Sequence, residues 1–356
     1  MLQISRVQGM VLGAIAAVIA LSGGKAFAQA SYAPPNAGDV PNPYSSILNW
    51  AQLPDGRKFG ATAGASIGPD GNIWTYERCG SATCADSSDV NPILELDQKT
   101  GKILKQFGKG LFVEPHGFYV DKGGNVWVTD DLAAKDGSKG LQVFKFSPDG
   151  KILLTLGKKG VSGLGPDVFG APSNVTVAPN GDIYVADGHN GCKCPNSRIV
   201  VFDKKGKFIR DFGKKGTGPG ELDNPHALAF DSAGRLFVGD RSNNRVEIFD
   251  KDGKFIAEWK QFGRPSGIFI KNDIIYVSDS ESRATPGAYG YNPGCQRGIR
   301  MGSVKDGKVT AFIPDPDDPT GGSEGVAVDH DGNVYGASRI AVDAGRLEKF
   351  VPLGKP

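Results

Sequence analysis

The sequence predicts an all-β fold, a six-bladed β-propeller, on three observations. A unit of roughly 40 to 58 residues recurs six times. Each unit holds about four short strands joined by glycine-containing turns, and the recurrence runs nearly end to end through the 356 residues. One such sheet cannot bury both faces by itself, so neighbours must stack on it, and six stacked sheets close into a ring.

In chain order, residues 1–28 read as a removable export signal. Arg6 gives a positive start, Met10 to Leu21 is apolar but short for a membrane span, and Ala26-Phe27-Ala28 offers a small-x-small cleavage pattern. The expected location is periplasmic or secreted, with no membrane attachment after removal. Residues 29–44, rich in proline, predict an extended arm, and residues 45–354 the propeller. Each repeat opens with an apolar stretch and turns through a segment such as Pro69-Asp70-Gly71-Asn72 or Pro179-Asn180-Gly181-Asp182. It continues in an aromatic-bearing strand that reads as the blade's inner strand (IWTY, VWVTD, IYVAD, LFVGD, IYVSD, VYGAS) and ends in two alternating strands across a hairpin. The chain finishes on RLEKFVPLG, which matches a third strand with no fourth behind it. The segment SSILNWAQLP, Ser45 to Pro54, therefore predicts the outermost strand of the last blade, fastening the ring and hiding two sheet edges. No helix of any length is expected.

One position of the repeat carries the chemistry. His116, His226 and Glu324 occupy it in repeats two, four and six, while Ala63, Ser173 and Ser266 occupy it in the others. In a closed ring the alternate copies face one another, so two imidazoles and a carboxylate converge on the axis as a metal site. A divalent metal is expected, zinc first, with calcium as a further, structural ion. Asp130, Asp187, Asp240 and Asp279 end the aromatic-bearing strands of four repeats, a regularity that predicts turn bonding and not catalysis. His330 falls in a hairpin turn and reads as a surface residue.

Charge is nearly balanced, formally +2, and the lysine pairs at 158–159, 204–205 and 214–215 sit in hairpins, so no nucleic-acid partner is expected. A small-molecule substrate and a monomer are. The cysteines number five, and export makes disulfides possible. Cys79–Cys84 is the expected bridge, while Cys192 and Cys194 could pair with each other or one of them with Cys295, leaving one thiol over.

The repeats resemble NHL repeats, and the run from Arg78 to Arg241 resembles the catalytic core of the peptidyl-α-hydroxyglycine α-amidating lyases, six-bladed zinc propellers. The similarity is carried by PHGFYVDKGGNVWVTD, NSRIVVF and PHALAFDSAGRLFVGDRSNNRVEIF. The resemblance implies zinc held by three histidines on alternate blades, matched here by His116 and His226, with Glu324 replacing the third. It implies two active-site arginines at Arg78 and Arg241. Where the family places a catalytic tyrosine after Asp-Gly, this chain has His189 after Asp187-Gly188, exchanging a phenol for an imidazole that titrates near neutrality. Arg339, at the sixth-repeat equivalent of Arg78, is a further candidate substrate contact.

The expected activity is metal-assisted lyase chemistry on a small hydroxylated, carboxylate-bearing substrate. Arg78 and Arg241 would hold the carboxylate, and His189, Tyr289 or Tyr291 would move the proton. Both arginines could instead tie neighbouring blades to carbonyls. Two alternatives stand beside the lyase: a hydrolase of the propeller-lactonase kind, and a non-catalytic propeller that binds a partner or glycan.

Overall fold

A computed structural model describes residues 33–47, 49–54, 56–87, 89–189, 194–315, 322–338 and 346–354. The expected export segment, Cys192 and Arg339 lie outside the described residues. Strand β1 (Tyr44–Ile47) precedes the first blade, which holds β2 (Thr62–Ile67), β3 (Ile73–Glu77), β4 (Ile93–Leu96) and β5 (Ile103–Phe107). The second holds β6 (Pro115–Val120), β7 (Val126–Asp130), β8 (Gln142–Phe146) and β9 (Ile152–Leu156), and the third β10 (Pro172–Val177), β11 (Ile183–Asp187), β12 (Arg198–Phe202) and β13 (Phe208–Phe212). The fourth holds β14 (Pro225–Phe230), β15 (Leu236–Asp240), β16 (Arg245–Phe249) and β17 (Phe255–Trp259), and the fifth β18 (Gly267–Lys271), β19 (Ile274–Asp279), β20 (Gly298–Ser303) and β21 (Val309–Pro314). The sixth combines β22 (Ser323–Val328), β23 (Val334–Ser338) and β24 (Arg346–Pro352) with β1 outermost.

The result is a six-bladed propeller of four-stranded antiparallel sheets, with a single 3-10 turn at Arg241–Asn243 as the helical content among the described residues. β2, β6, β10, β14, β18 and β22 contact one another around the axis. The aromatic-bearing strands are thus second from the axis, a correction to the sequence reading. The physical reason is packing: β3, β7, β11, β15 and β23 are buried along their whole length because neighbouring blades cover both faces, but β22 on the axis is equally buried, so burial does not mark the innermost strand. The outermost strands β5, β9 and β13 keep exposed residues between partly buried ones. An apolar cluster fills each of the six blade interfaces, as where Tyr76 and Phe118 meet Phe112 and Phe144.

Closure is made by β1 against β24, with Tyr44 opposite Pro352 and Ile47 opposite Lys349. The strand begins one residue before the expected segment and ends well before Pro54. Farther along, buried Trp50 packs on Tyr335 with ring centroids 5.2 Å apart, and the Gln52 amide donates to the Gly101 carbonyl of blade one. The preceding arm is ordered against blade five: Arg300 donates to the Pro35 carbonyl at 3.0 Å, and the Phe312 amide to the Pro41 carbonyl.

The strand-end acids anchor the segments that enter each blade. Asp130 accepts from the Val113 and Glu114 amides, Asp187 from Gly170 and Ala171, Asp240 from Asp223, and Asp279 from Arg264. Glu77 does the same in blade one, accepting from Gly60. Cys79 and Cys84 form a disulfide, Cys194 is disulfide-bonded, and Cys295 is a buried free thiol. His330 is exposed. No helix among the described residues is long and apolar enough to cross a membrane.

Candidate metal centre

The site is built where the axis-lining strands begin, and a recurring irregularity aims it. In blade four Pro225 pairs with Asp240 and Ala227 with Gly239, which leaves His226 as the extra residue of a bulge. Shifts at the same point single out Ala63, Ser173 and Glu324, and in blade two His116 and Gly117 lie between the pairs Pro115–Asp130 and Phe118–Val128. A bulged residue leaves the ladder and its side chain is re-aimed, here to the axis. Gly117 permits the close approach: a Cβ there would stand 2.5 Å from the Cα of Asn174 and 2.6 Å from the Ser173 carbonyl oxygen.

Each histidine is then fixed by the next blade. His116 Nδ1 lies 2.7 Å from the Ser173 carbonyl oxygen, and His226 Nδ1 2.6 Å from that of Ser266. A carbonyl can only accept, so each Nδ1 carries the proton and each Nε2 presents its lone pair to the axis. Thus the small-residue positions of blades three and five hold the histidines through their backbones. Among the described residues, both Nε2 atoms are buried without a hydrogen-bond partner. Glu324 Oε1 stands 3.5 Å from Nε2 of His226 and 3.9 Å from that of His116, so the structure brings these three residues together.

His189 joins them. Its ring centroid is 4.2 Å from His116 and 5.3 Å from His226, and one nitrogen from each of the three imidazoles lies within 4.8 Å of the others. It arrives on the loop after β11, where the amides of Gly188 and His189 both donate to the Ala171 carbonyl. Gly188 has φ of 142°, and a Cβ there would lie 2.4 Å from the Asn196 carbonyl oxygen. His189 Nδ1 is 2.6 Å from Asp131 Oδ2.

Arg241 is fully buried at the hub of the remaining contacts. Its Nη1 lies 3.3 Å from Glu324 Oε1 and 3.5 Å from Glu281 Oε2, and its Nη2 donates to the Tyr289 hydroxyl at 3.0 Å and meets His189 Nε2 at 3.1 Å. Arg78 stands differently. It pairs with Glu114 at 2.6 Å and donates to the carbonyls of Pro115 and Ala82, tying blade one to blade two. Tyr289 is 47% exposed, so it links this buried hub to solvent, whereas the Tyr291 carbonyl accepts from Asn244.

Burial, with the neighbouring histidines and Arg241, holds both axial histidines neutral. His116 is pushed well below the usual imidazole range by desolvation and then by His189, and His226 down to about 3 by desolvation and then by Arg241. Neutral imidazole is the form that binds a metal. Two buried lone pairs with no hydrogen-bond partner among the described residues, a third imidazole and a carboxylate are a donor set that fits a divalent ion of the zinc type. Below the site a cavity of about 1030 Å³ runs along the axis, with His116, His226 and Glu324 in its wall and Lys122, Asp231 and Asp273 at the turn end.

Sequence reasoning missed Asp131 and Glu281. Asp131 carried a readable signal: it follows the strand-end acid of its blade, the place that Arg78 and Arg241 hold in theirs.

Residues 222–249 match the NHL repeat, and residues 167–232 match a family described as a 6-bladed beta-propeller. The chain is therefore a six-bladed propeller that carries an NHL-repeat match, with a buried three-histidine group able to hold a metal ion. In sequence it resembles the peptidyl-α-hydroxyglycine α-amidating lyases. It is 33% identical over 203 residues to a probable lyase of this name from Caenorhabditis elegans, covering 52% of this chain and 55% of that protein. It is 39% identical over 163 residues to a peptidyl-glycine alpha-amidating monooxygenase from Mus musculus, covering 44% of this chain and 15% of the mouse protein. The chain thus spans a small part to about half of the curated relatives it matches. A gluconolactonase from Xanthomonas campestris shares the fold at 14% identity, with a TM-score of 0.57 over 91% of this chain and 99% of that one.

Proposed function

We propose that the protein is an exported metal-dependent lyase similar to the amidating lyases, acting at the axial end of the propeller on a small hydroxylated carbon that bears nitrogen and a carboxylate. One observation carries the proposal: three imidazoles and an arginine from the stretch of sequence that resembles those lyases meet the carboxylate of Glu324 at one point. His116, His226 and His189 would hold the metal, with Glu324 beside them, and zinc is the ion such donors favour. When bound, the ion supplies Lewis acidity toward a substrate hydroxyl or carbonyl.

The chain's own residues do the rest. Arg241 orients the substrate carboxylate and offsets developing negative charge. Tyr289, whose oxygen accepts from Arg241 at 3.0 Å, relays the proton. The substrate hydroxyl loses its proton, its O–H electrons form the new carbonyl, the carbon–nitrogen bond breaks, and the departing amide nitrogen takes the proton up. Bound as a ligand, His189 replaces the missing third histidine and leaves proton transfer to the phenol. Export is supported by the Cys79–Cys84 disulfide and the signal-like first 28 residues.

The test is an N-acyl-α-hydroxyglycine incubated with the zinc-loaded protein, reading release of glyoxylate and amide. Arg241→Ala should lower kcat/KM by a factor corresponding to about 2–4 kcal/mol while leaving zinc content intact. Arg78→Ala should cost less activity and more thermal stability, given its ties to Glu114, Pro115 and Ala82. A zinc-loaded protein that hydrolyses lactones and releases no glyoxylate would overturn the lyase assignment.

A further inference from the structure

We infer that Asp131 is a positioning residue that fixes the proton of His189 on Nδ1 and so keeps its Nε2 unprotonated, an acceptor for Arg241 that a metal bound at the histidine cluster would take over. The inference rests on the metal-site reading of His116, His189 and His226 and names what holds the third imidazole in place.

Its ground is geometric. Asp131 is buried, with a side chain 3% exposed, and Oδ2 stands 2.6 Å from His189 Nδ1, the separation of a charge-assisted hydrogen bond. The other face of the same imidazole, Nε2, lies 3.1 Å from Arg241 Nη2, and a guanidinium can only donate. A carboxylate accepting on one side and a guanidinium donating on the other both require the same tautomer, Nδ1–H with Nε2 bare. His116 and His226 reach that tautomer through the backbone carbonyls of Ser173 and Ser266. His189 comes from a loop, and a side chain from blade two accepts from its Nδ1. The local chain agrees. Asp130 is spent on the Val113 and Glu114 amides, which leaves the next residue to face the axis from the position that Arg78 and Arg241 take in their blades.

A carboxylate oriented on a ligating imidazole strengthens metal binding, and its loss costs about 10- to 100-fold in affinity. Asp131→Asn keeps the shape and removes the charge. Titrating cobalt(II) into the metal-free protein, the variant should bind about 10- to 100-fold more weakly than wild type, with an altered visible spectrum. His189→Ala should show a similar loss, and His116→Ala a larger one. Imidazole nitrogen shifts of the metal-free wild type should show His189 protonated at Nδ1, and a mixed population in Asp131→Asn. Unchanged cobalt affinity and spectrum in the variant, or a wild-type His189 protonated at Nε2, would overturn the inference. The second measurement decides even if the variant fails to fold. A wild-type protein that binds no cobalt while its His189 carries the Nδ1 proton would instead defeat the metal reading and leave the positioning role of Asp131 standing.

Discussion

His116 and His226 show how one residue type takes a fixed proton from its surroundings. Each spends Nδ1 on a carbonyl and keeps Nε2 bare in a buried, partly cationic setting, so protonation is resisted. His226 titrates at about 3 in the folded protein against about 6.5 in an unfolded chain. Between those values the unfolded chain binds more protons, so this contribution to stability is complete above pH ~6.5 and is lost as pH falls toward ~3. Urea unfolding of the metal-free protein should therefore show a clear loss of stability from about pH 7.5 to about pH 5, with a shallower fall in His226→Asn. A denaturation midpoint that ignores pH over that range would contradict the neutral, buried cluster. These histidines and Glu324 were legible because they recur at one repeat position. His189 was marked only by the family resemblance, because it sits one residue past the repeat position that Arg78, Asp131 and Arg241 hold, and the side chains that meet it come from blades two and four.

At the level of the element, the strands were legible from alternation and hairpin glycines, and their bulges were not. Alternation shows that Val120 and Phe118 share a face, but it cannot show that two residues, His116 and Gly117, stand against one partner. The aromatic-bearing strands misled for a related reason. Full burial reads as central, yet β22 on the axis is no more buried than β23 beside it. Gly117→Ala tests the bulge. Its methyl would press on the Asn174 backbone and the Ser173 carbonyl, the acceptor of His116, so the strand must shift. Overpacking of this kind costs about 1–3 kcal/mol, and thermal unfolding should report it together with weakened metal binding. A variant with wild-type melting temperature and wild-type cobalt affinity would show that β6 has slack at this point.

The whole molecule is a ring whose last blade borrows a strand from the other end of the chain. That borrowing was legible from an unpartnered third strand at Arg346–Pro352, although Trp50, expected in the same strand, instead packs on Tyr335. Removing residues up to Ile47 would bare the edge of β24 and strip the arm from Arg300. The truncated protein should melt at lower temperature and self-associate in size-exclusion chromatography. An unchanged, monodisperse melt would show that blade six needs no fourth strand. The same geometry joins rim to centre. Glu324 rides on the sheet that β1 completes, while His116, His189 and Arg241 belong to blades two, three and four. A ligand gripping these groups clasps the circle from within, as β1 clasps it from without. Filling the axis should thus raise the free energy of peeling the terminal strand by RT ln(1 + [L]/Kd), wherever peeling disperses the site. The two fastenings act as one latch, and a measurement of strand detachment is also a measurement of what sits at the hub.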